Sequence, residues 1–301
     1  LIAVVTRMTK SSRSFCLVFC FFITLTSCSA GAQKASNSAF LKTRKSYKTN
    51  LTDPGPAPQK WQNVEPPDYV NKVSYISNDM KLMAWFALPD AAKASTTAKV
   101  PAVVFFHGGF AFGADDFWAC KPFLDAGFAV MTPSVRGENG NPGYFELFYG
   151  EIDDARAAVK WLAKQPRIDA TRIYTFGHSV GGGISAMLSL WDDVPVRLGG
   201  SSGGLYTMDT FTAWREFVPF DVNNEKEKQL RLLVGNMASM KHPHIAYLGS
   251  DDSLSRIAPR AEEEKKQSSA PLTVKIVAGD HFISLGIAMD EFVKVISADK
   301  P

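Results

Sequence analysis

The chain of 301 residues is short of cysteine, of long apolar runs and of unbalanced charge, and each shortage removes a class of protein. Of its four cysteines, Cys16, Cys20 and Cys28 fall near the start, so Cys120 is alone in the body and no internal disulfide can form there. The apolar run from Phe15 to Leu25 is 11 residues long. A helix needs roughly 20 residues to cross a bilayer, so this run is not a membrane span. The net charge of +3 comes wholly from Arg7, Lys10 and Arg13, and the rest of the chain carries 30 basic and 30 acidic residues. A neutral body argues against a nucleic-acid partner, because phosphate binding needs a concentrated positive footprint. With 46% hydrophobic and 21% charged residues, the composition is that of a globular protein rather than a disordered or collagen-like one.

What is present begins with an address. A charged start, a short apolar core and then small residues form the secretory signal pattern. Leu25-Thr26-Ser27-Cys28 resembles a bacterial lipobox, in which the cysteine is lipidated and becomes the new N-terminus. The expectation is a signal over residues 1–27 and a lipid anchor on Cys28, giving an exported cell-envelope protein held to a membrane by lipid alone. A plain signal cleaved near Ala30 is the alternative. Residues 28–66 are rich in Ser, Ala, Lys, Asn and Pro without a sustained period, which predicts a flexible tether spanning on the order of 35 Å. Its Lys42, Arg44, Lys45 and Lys48 are expected in solvent or against anionic lipid.

From residue 67 to 301 the pattern is that of one α/β domain. Lys72 to Ser77 and Lys81 to Leu88 alternate around Asn78-Asp79, which predicts an antiparallel hairpin. Val100 to Phe106 is continuously apolar, as in a strand covered on both faces. Phe128 to Thr132, Arg172 to Phe176, Val194 to Leu198, Ile245 to Leu248 and Leu272 to Val277 are read as further strands. Between them, Ile152, Ala155, Val159 and Leu162 recur at helical spacing, as do Leu285, Ala288, Met289, Phe292 and Ile296. Alternating strands and helices after an antiparallel start imply a mostly parallel central sheet with helices on both faces.

Chemistry concentrates at the ends of these strands. Gly177-His178-Ser179-Val180-Gly181 follows a strand and precedes a helix, the setting in which a tight turn lifts a serine hydroxyl above the sheet. His178 is expected to pack as a pocket wall. A serine needs a base, and His281 in Gly279-Asp280-His281-Phe282 lies between the last strand and the last helix. Asp252, in Gly249-Ser250-Asp251-Asp252, would orient that histidine, with Asp251 the rival and Asp280 a third option. The oxyanion needs N–H donors: Val180 at the helix start, and Gly109, or Phe110 in its place, in His107-Gly108-Gly109-Phe110. His107 is expected to brace that loop, and His242-Pro243-His244 to lead into a strand rather than bind metal. Phe211, Trp214, Phe217 and Phe220 either line an acyl or aromatic pocket or pack as a small helix.

From about Met80 to Val295 the chain resembles an α/β-hydrolase, and specifically the catalytic domain of the prolyl oligopeptidase family, with dienelactone hydrolases as relatives. The stretches that carry the resemblance are His107-Gly108-Gly109, Arg136-Gly137 with Gly140 and Gly143, Asp154, Gly177 to Gly182, Gly249 to Asp252 and Asp280-His281-Phe282. It implies an α/β-hydrolase fold and a Ser179, Asp252, His281 triad working without cofactor or metal on a small ester or peptide substrate. Fewer than 70 residues precede the domain where the family's peptidases carry a large β-propeller, and the residues flanking Ser179 resemble those of esterases. A surface-tethered binding protein that kept the fold and lost the chemistry is the reading from another class.

Overall fold

The computed structural model describes residues 40–93 and 97–300. The signal segment, Cys28 and the first part of the expected tether lie outside the described residues. Among the described residues no helix is long and apolar enough to cross a membrane.

A short helix α1 covers residues 40–46. Asn78 and Asp79, both at positive φ (45° and 66°), then form a two-residue turn that suits the twist of a hairpin. It joins β1 (Asn71–Ser77) to β2 (Met80–Ala87), with Ser77 opposite Met80. After α2 (Asp90–Lys93) the chain runs through β3 (Val100–Phe106), α3 (Ala114–Ala119), α4 (Lys121–Asp125), β4 (Ala129–Pro133) and α5 (Gly150–Ala163). It continues through β5 (Ile168–His178), α6 (Val180–Leu188), β6 (Leu198–Ser202), α7 (Met208–Ala213) and α8 (Glu225–Gln229). The final elements are β7 (His244–Gly249), α9 (Ala258–Ser268), β8 (Leu272–Val277) and α10 (Ile283–Ala298).

The strands form one eight-stranded sheet in the order β1-β2-β4-β3-β5-β6-β7-β8. β2 pairs antiparallel with β1 and β4, and every later pairing is parallel. Side chains of β3 alternate between two cores. Ala102, Val104 and Phe106 face the layer holding Ile152, Val159 and Met187 of α5 and α6. Val103 and Phe105 face the layer holding Phe123, Phe292 and Ile296 of α4 and α10. Cys120 is buried in this second layer, and burial pushes its thiol pKa well up, so it is an unreactive packing residue. The mostly parallel sheet with helices on both faces is what the strand and helix periods predict, and it is the α/β-hydrolase architecture that the resemblance implies.

Two expectations need correction. The strand expected at Val194 to Leu198 is β6, Leu198–Ser202, four residues further on. Its sequence LGGSS has little hydrophobicity of its own. The apolar cover comes from neighbours, since a β-carbon on Gly200 would lie 2.7 Å from both Phe176 and Phe292. The expected flexible tether is, from residue 40 onward, a packed arm. Phe40 is buried against Trp191, and Arg44 is buried with its guanidinium 3.3 Å above the Tyr149 ring and one N–H donating to the Tyr149 carbonyl. Further along, Leu51 bridges to Phe220, the Ala57 N–H donates to the Gly137 carbonyl at 2.9 Å, and the Phe145 N–H donates to that of Gly55 at 2.8 Å. Polar composition hid this arm because, apart from Phe40, the anchors named use a backbone group or the flat face of a cation rather than an apolar stripe.

Candidate active site

Ser179 sits between β5 and α6 at φ 50° and ψ −121°, a conformation that costs a residue with a β-carbon on the order of 1–3 kcal/mol and persists only where its surroundings enforce it. The enforcement is steric. A β-carbon on Gly177 would overlap the carbonyl of Gly181, and one on Gly181 would overlap the carbonyls of Phe106 and His107. The start of α6 therefore lies directly on the ends of β5 and β3. The Ser179 N–H donates to the Ser202 carbonyl at 2.8 Å, and its own carbonyl accepts from Gly183 at 3.0 Å, which locks the turn.

Asp252 lies just beyond β7 and is buried. One carboxylate oxygen accepts from the Leu254 N–H at 2.9 Å and the other pairs with Nδ1 of His281 at 2.6 Å. A carboxylate on Nδ1 fixes the proton there and leaves Nε2 as the accepting nitrogen. The His281 ring lies 4.7 Å from the ring of His178, the residue before Ser179, and close above Gly203, where a β-carbon would be 2.8 Å from its Cε1. Asp252 and His281 are thus joined past the carboxyl ends of β7 and β8, and the His281 ring packs on His178, the neighbour of Ser179 at the carboxyl end of β5. The rival acids have other work. Asp251 is exposed, with its N–H donating to the Gly279 carbonyl. Asp280 accepts from the N–H groups of Phe282 and Ile283 at 3.0 and 2.9 Å at the start of α10, and those bonds hold its pKa below the usual range. Burial, then the charge of His281, brings His178 down to about 4, so it is a neutral wall residue.

The loop after β3 passes against the serine: a β-carbon on Gly108 would lie 3.1 Å from His178 Cδ2 and 3.7 Å from Ser179 Cβ. Gly109 and Val180 line one small cavity with Phe106, His107 and Ile184. Val180 is the first residue of α6, so its N–H has no partner within the helix. The two alternatives for the second donor are separated by what they bind. The Phe110 N–H donates to Gln59 Oε1 at 2.9 Å and is engaged, which favours Gly109, at φ 67°. His107 is buried with Nε2 3.1 Å from Glu138 and Nδ1 2.9 Å from the Gly108 carbonyl. Burial lowers its pKa, but the charge and hydrogen bond of Glu138 outweigh this and bring it up to about 9. It is an imidazolium that braces the loop.

Among the described residues no group of three His, Cys, Asp or Glu is placed to hold a metal ion. His242 faces the Trp191 carbonyl at 2.7 Å, while His244 is buried against the Ser201 hydroxyl at 2.9 Å, so the two rings serve different contacts.

Tyr206 is the site residue that sequence reasoning missed. Its hydroxyl lies 3.5 Å from Ser179 Oγ, and burial raises its pKa, keeping the phenol neutral. Its signal was its place just past β6, which the misplaced strand concealed. The Tyr206 ring packs on Phe148 and Trp214 at 5.5 and 5.2 Å, and Phe110 meets Phe145, Trp214 and Phe217 at 5.1 to 6.1 Å. The aromatic stretch 207–220 is divided between two settings, a packed one and a ring cluster beside Phe110. Phe211 and Phe220 are core residues 5.3 Å apart, and Trp214 and Phe217 form an aromatic wall with Phe110.

Comparison with known proteins places this geometry. An uncharacterized peptidase of Bacillus subtilis, YtmA, is 24% identical over 163 residues, which cover 54% of this chain and 57% of that protein. The chain thus matches little more than half the length of this curated relative. Among solved structures, a puromycin-hydrolyzing peptidase of Mycobacterium tuberculosis aligns with a TM-score of 0.65 and 16% identity, covering 77% of this chain and 39% of that one. An esterase of Pyrococcus furiosus aligns with a TM-score of 0.60 and 18% identity, covering 82% of this chain and 97% of that one. Both show the shared fold, with the fold standing almost alone in the second. The family model described as X-Pro dipeptidyl-peptidase (S15 family) matches residues 32–196, a span that includes the packed arm, the His107 loop and the Ser179 elbow, and the chain belongs to that family of serine hydrolases with the α/β-hydrolase fold.

Proposed function

We propose that the protein hydrolyses an ester or amide bond through an acyl-enzyme on Ser179. In this reading His281 Nε2 takes the hydroxyl proton as Oγ attacks the carbonyl carbon, and Asp252 stabilises the imidazolium. The N–H groups of Val180 and Gly109 receive the oxyanion, each such donor being worth about 2.7–4 kcal/mol of transition-state stabilisation. The proton then passes from His281 to the leaving alcohol or amine, and water releases the acid by the same steps in reverse. The observation that carries the reading is the 2.6 Å bond between His281 and a buried Asp252, set beside a serine in a strained elbow. The Phe110, Trp214 and Phe217 wall suits an aromatic or apolar group next to the scissile bond. Turnover of a short p-nitrophenyl ester should fall on the order of 10⁴-fold or more in Ser179→Ala. Undiminished turnover in that variant refutes the assignment. A panel of acyl esters, acyl-amino-acid anilides and X-Pro anilides then sorts esterase from peptidase activity.

A further inference from the structure

The loop that carries Gly109 is fastened to the rest of the protein at three places. At its start, His107 bridges Glu138 and the Gly108 carbonyl. At its far side, Asn139 pairs with both backbone groups of Phe112, accepting from its N–H at 2.8 Å and donating to its carbonyl at 2.7 Å. Both anchors come from the segment after β4. The third comes from the N-terminal arm: Gln59 Oε1 accepts from the Phe110 N–H at 2.9 Å. The His107 bond holds the Gly108–Gly109 peptide, which carries the Gly109 N–H, and the Gln59 bond holds the next peptide, Gly109–Phe110, so the two fix Gly109 from either side.

The fit around Gln59 is close on both sides. A β-carbon on Gly109 would lie 2.5 Å from Gln59 Oε1, so with any other residue there the carboxamide would have to move off the Phe110 N–H. The arm is itself held around Gln59. Ala57 and Gly55 make backbone bonds to Gly137 and Phe145, and the Trp61 ring covers Gly140, where a β-carbon would be 3.4 Å from it. The arm beside the exposed Gln59 is thus bonded to the segment after β4, which also supplies the other two anchors.

We propose that Gln59 is a positioning residue for the oxyanion site: its side-chain carbonyl holds the Gly109–Phe110 peptide and so fixes the far side of Gly109, which, with His107 on the Gly108 carbonyl at the near side, keeps the Gly109 N–H aimed at the reacting carbonyl. It touches no reacting atom and acts through the loop. This rests on the serine-hydrolase reading and adds that the N-terminal arm completes the site.

The test compares Gln59→Met, which keeps the length and loses the acceptor, with Gln59→Glu, which keeps an acceptor. In Gln59→Met, kcat for a p-nitrophenyl ester should fall about three- to thirtyfold with KM within twofold, since a misaimed donor costs part of a transition-state interaction. The melting temperature should stay within about 2 °C. Hydrogen exchange of the segment 107–112 should quicken while the rest of the chain is unchanged. Gln59→Glu should restore the slow exchange of that segment. The proposal is overturned if exchange in 107–112 is the same in wild type and Gln59→Met, or if Gln59→Met turns over as fast as wild type or faster. Reaction of wild type with a fluorophosphonate probe is measured alongside. If exchange responds to Gln59→Met but neither wild type nor variant is labelled at Ser179, the arm anchors the loop and the serine-hydrolase reading is what fails.

Discussion

Replacing Glu227 should reveal how strongly the N-terminal arm belongs to the domain. Its carboxylate is buried in α8 and is the point where three arm groups meet: the Tyr47 hydroxyl, the Thr49 hydroxyl and the Asn50 N–H each donate to it at 2.9 Å. It also pairs with Arg231, whose side chain is fully buried. In Glu227→Ala the guanidinium keeps acceptors at the Glu227 and Glu146 carbonyls, 2.8 and 3.1 Å away, and stays 3.9 Å over the Phe220 ring, but its counter-charge is gone. Breaking a buried pair costs roughly 3–5 kcal/mol, and the surviving acceptors place this case near 3. For a domain of this size that lowers the melting temperature by about 6–12 °C. Trypsin should at the same time cut faster at the exposed Lys42, Lys45 and Lys48. The double variant Glu227→Leu, Arg231→Met removes both charges, so it should recover most of the stability while the arm stays sensitive to trypsin. Thermal and urea melts with timed proteolysis make the comparison. A loss under about 1 kcal/mol in Glu227→Ala, with unaltered cleavage, would refute the reasoning and return residues 40–66 to the status of a tether.

Stability should also depend on pH through His107. Its pKa is raised from 6.5 in the unfolded chain to about 9 by the Glu138 charge and hydrogen bond acting against burial. The contribution is therefore fully present below about 6.5 and lost as pH rises through 9, on the order of 3 kcal/mol across that window. Urea midpoints measured from pH 6 to pH 10 should fall accordingly in wild type. The slope should shrink in Glu138→Gln, and an unchanged slope in that variant would exclude the pair as its source. The two neighbouring acids should separate cleanly in kinetics: Asp252→Asn should lower kcat on the order of 10⁴-fold by destabilising the His281 tautomer, while Asp251→Asn stays within about twofold. Equal losses in the two variants would mean that the wrong acid has been assigned to the ring.

The strands and the serine elbow were legible because their constraints act between residues close in sequence. Gly177 and Gly181 are glycines for the sake of a turn five residues long, and β3 is apolar because helices cover both its faces. The hairpin was legible for the same reason, since Asn78 and Asp79 supply the positive φ their own turn requires. β6 broke that locality. Its glycines and serines look like loop, and the groups that make it a buried strand, Phe176 and Phe292, lie far away in the chain. Misplacing it by four residues also hid Tyr206, because the loop past a strand is recognised only when the strand's end is known. The arm broke locality further still. Tyr47 reaches a carboxylate 180 positions on, and Gln59 an amide 51 positions on. In composition alone, Arg44 stacked on Tyr149 cannot be told from a solvated linker charge, since burial of a guanidinium depends on a ring 105 residues away. The boundary read at residue 67 was therefore a boundary in composition. The packed unit extends back at least to Phe40, and a fragment beginning at residue 67 would keep Ser179, Asp252 and His281 but lose the side chain that holds the Phe110 amide.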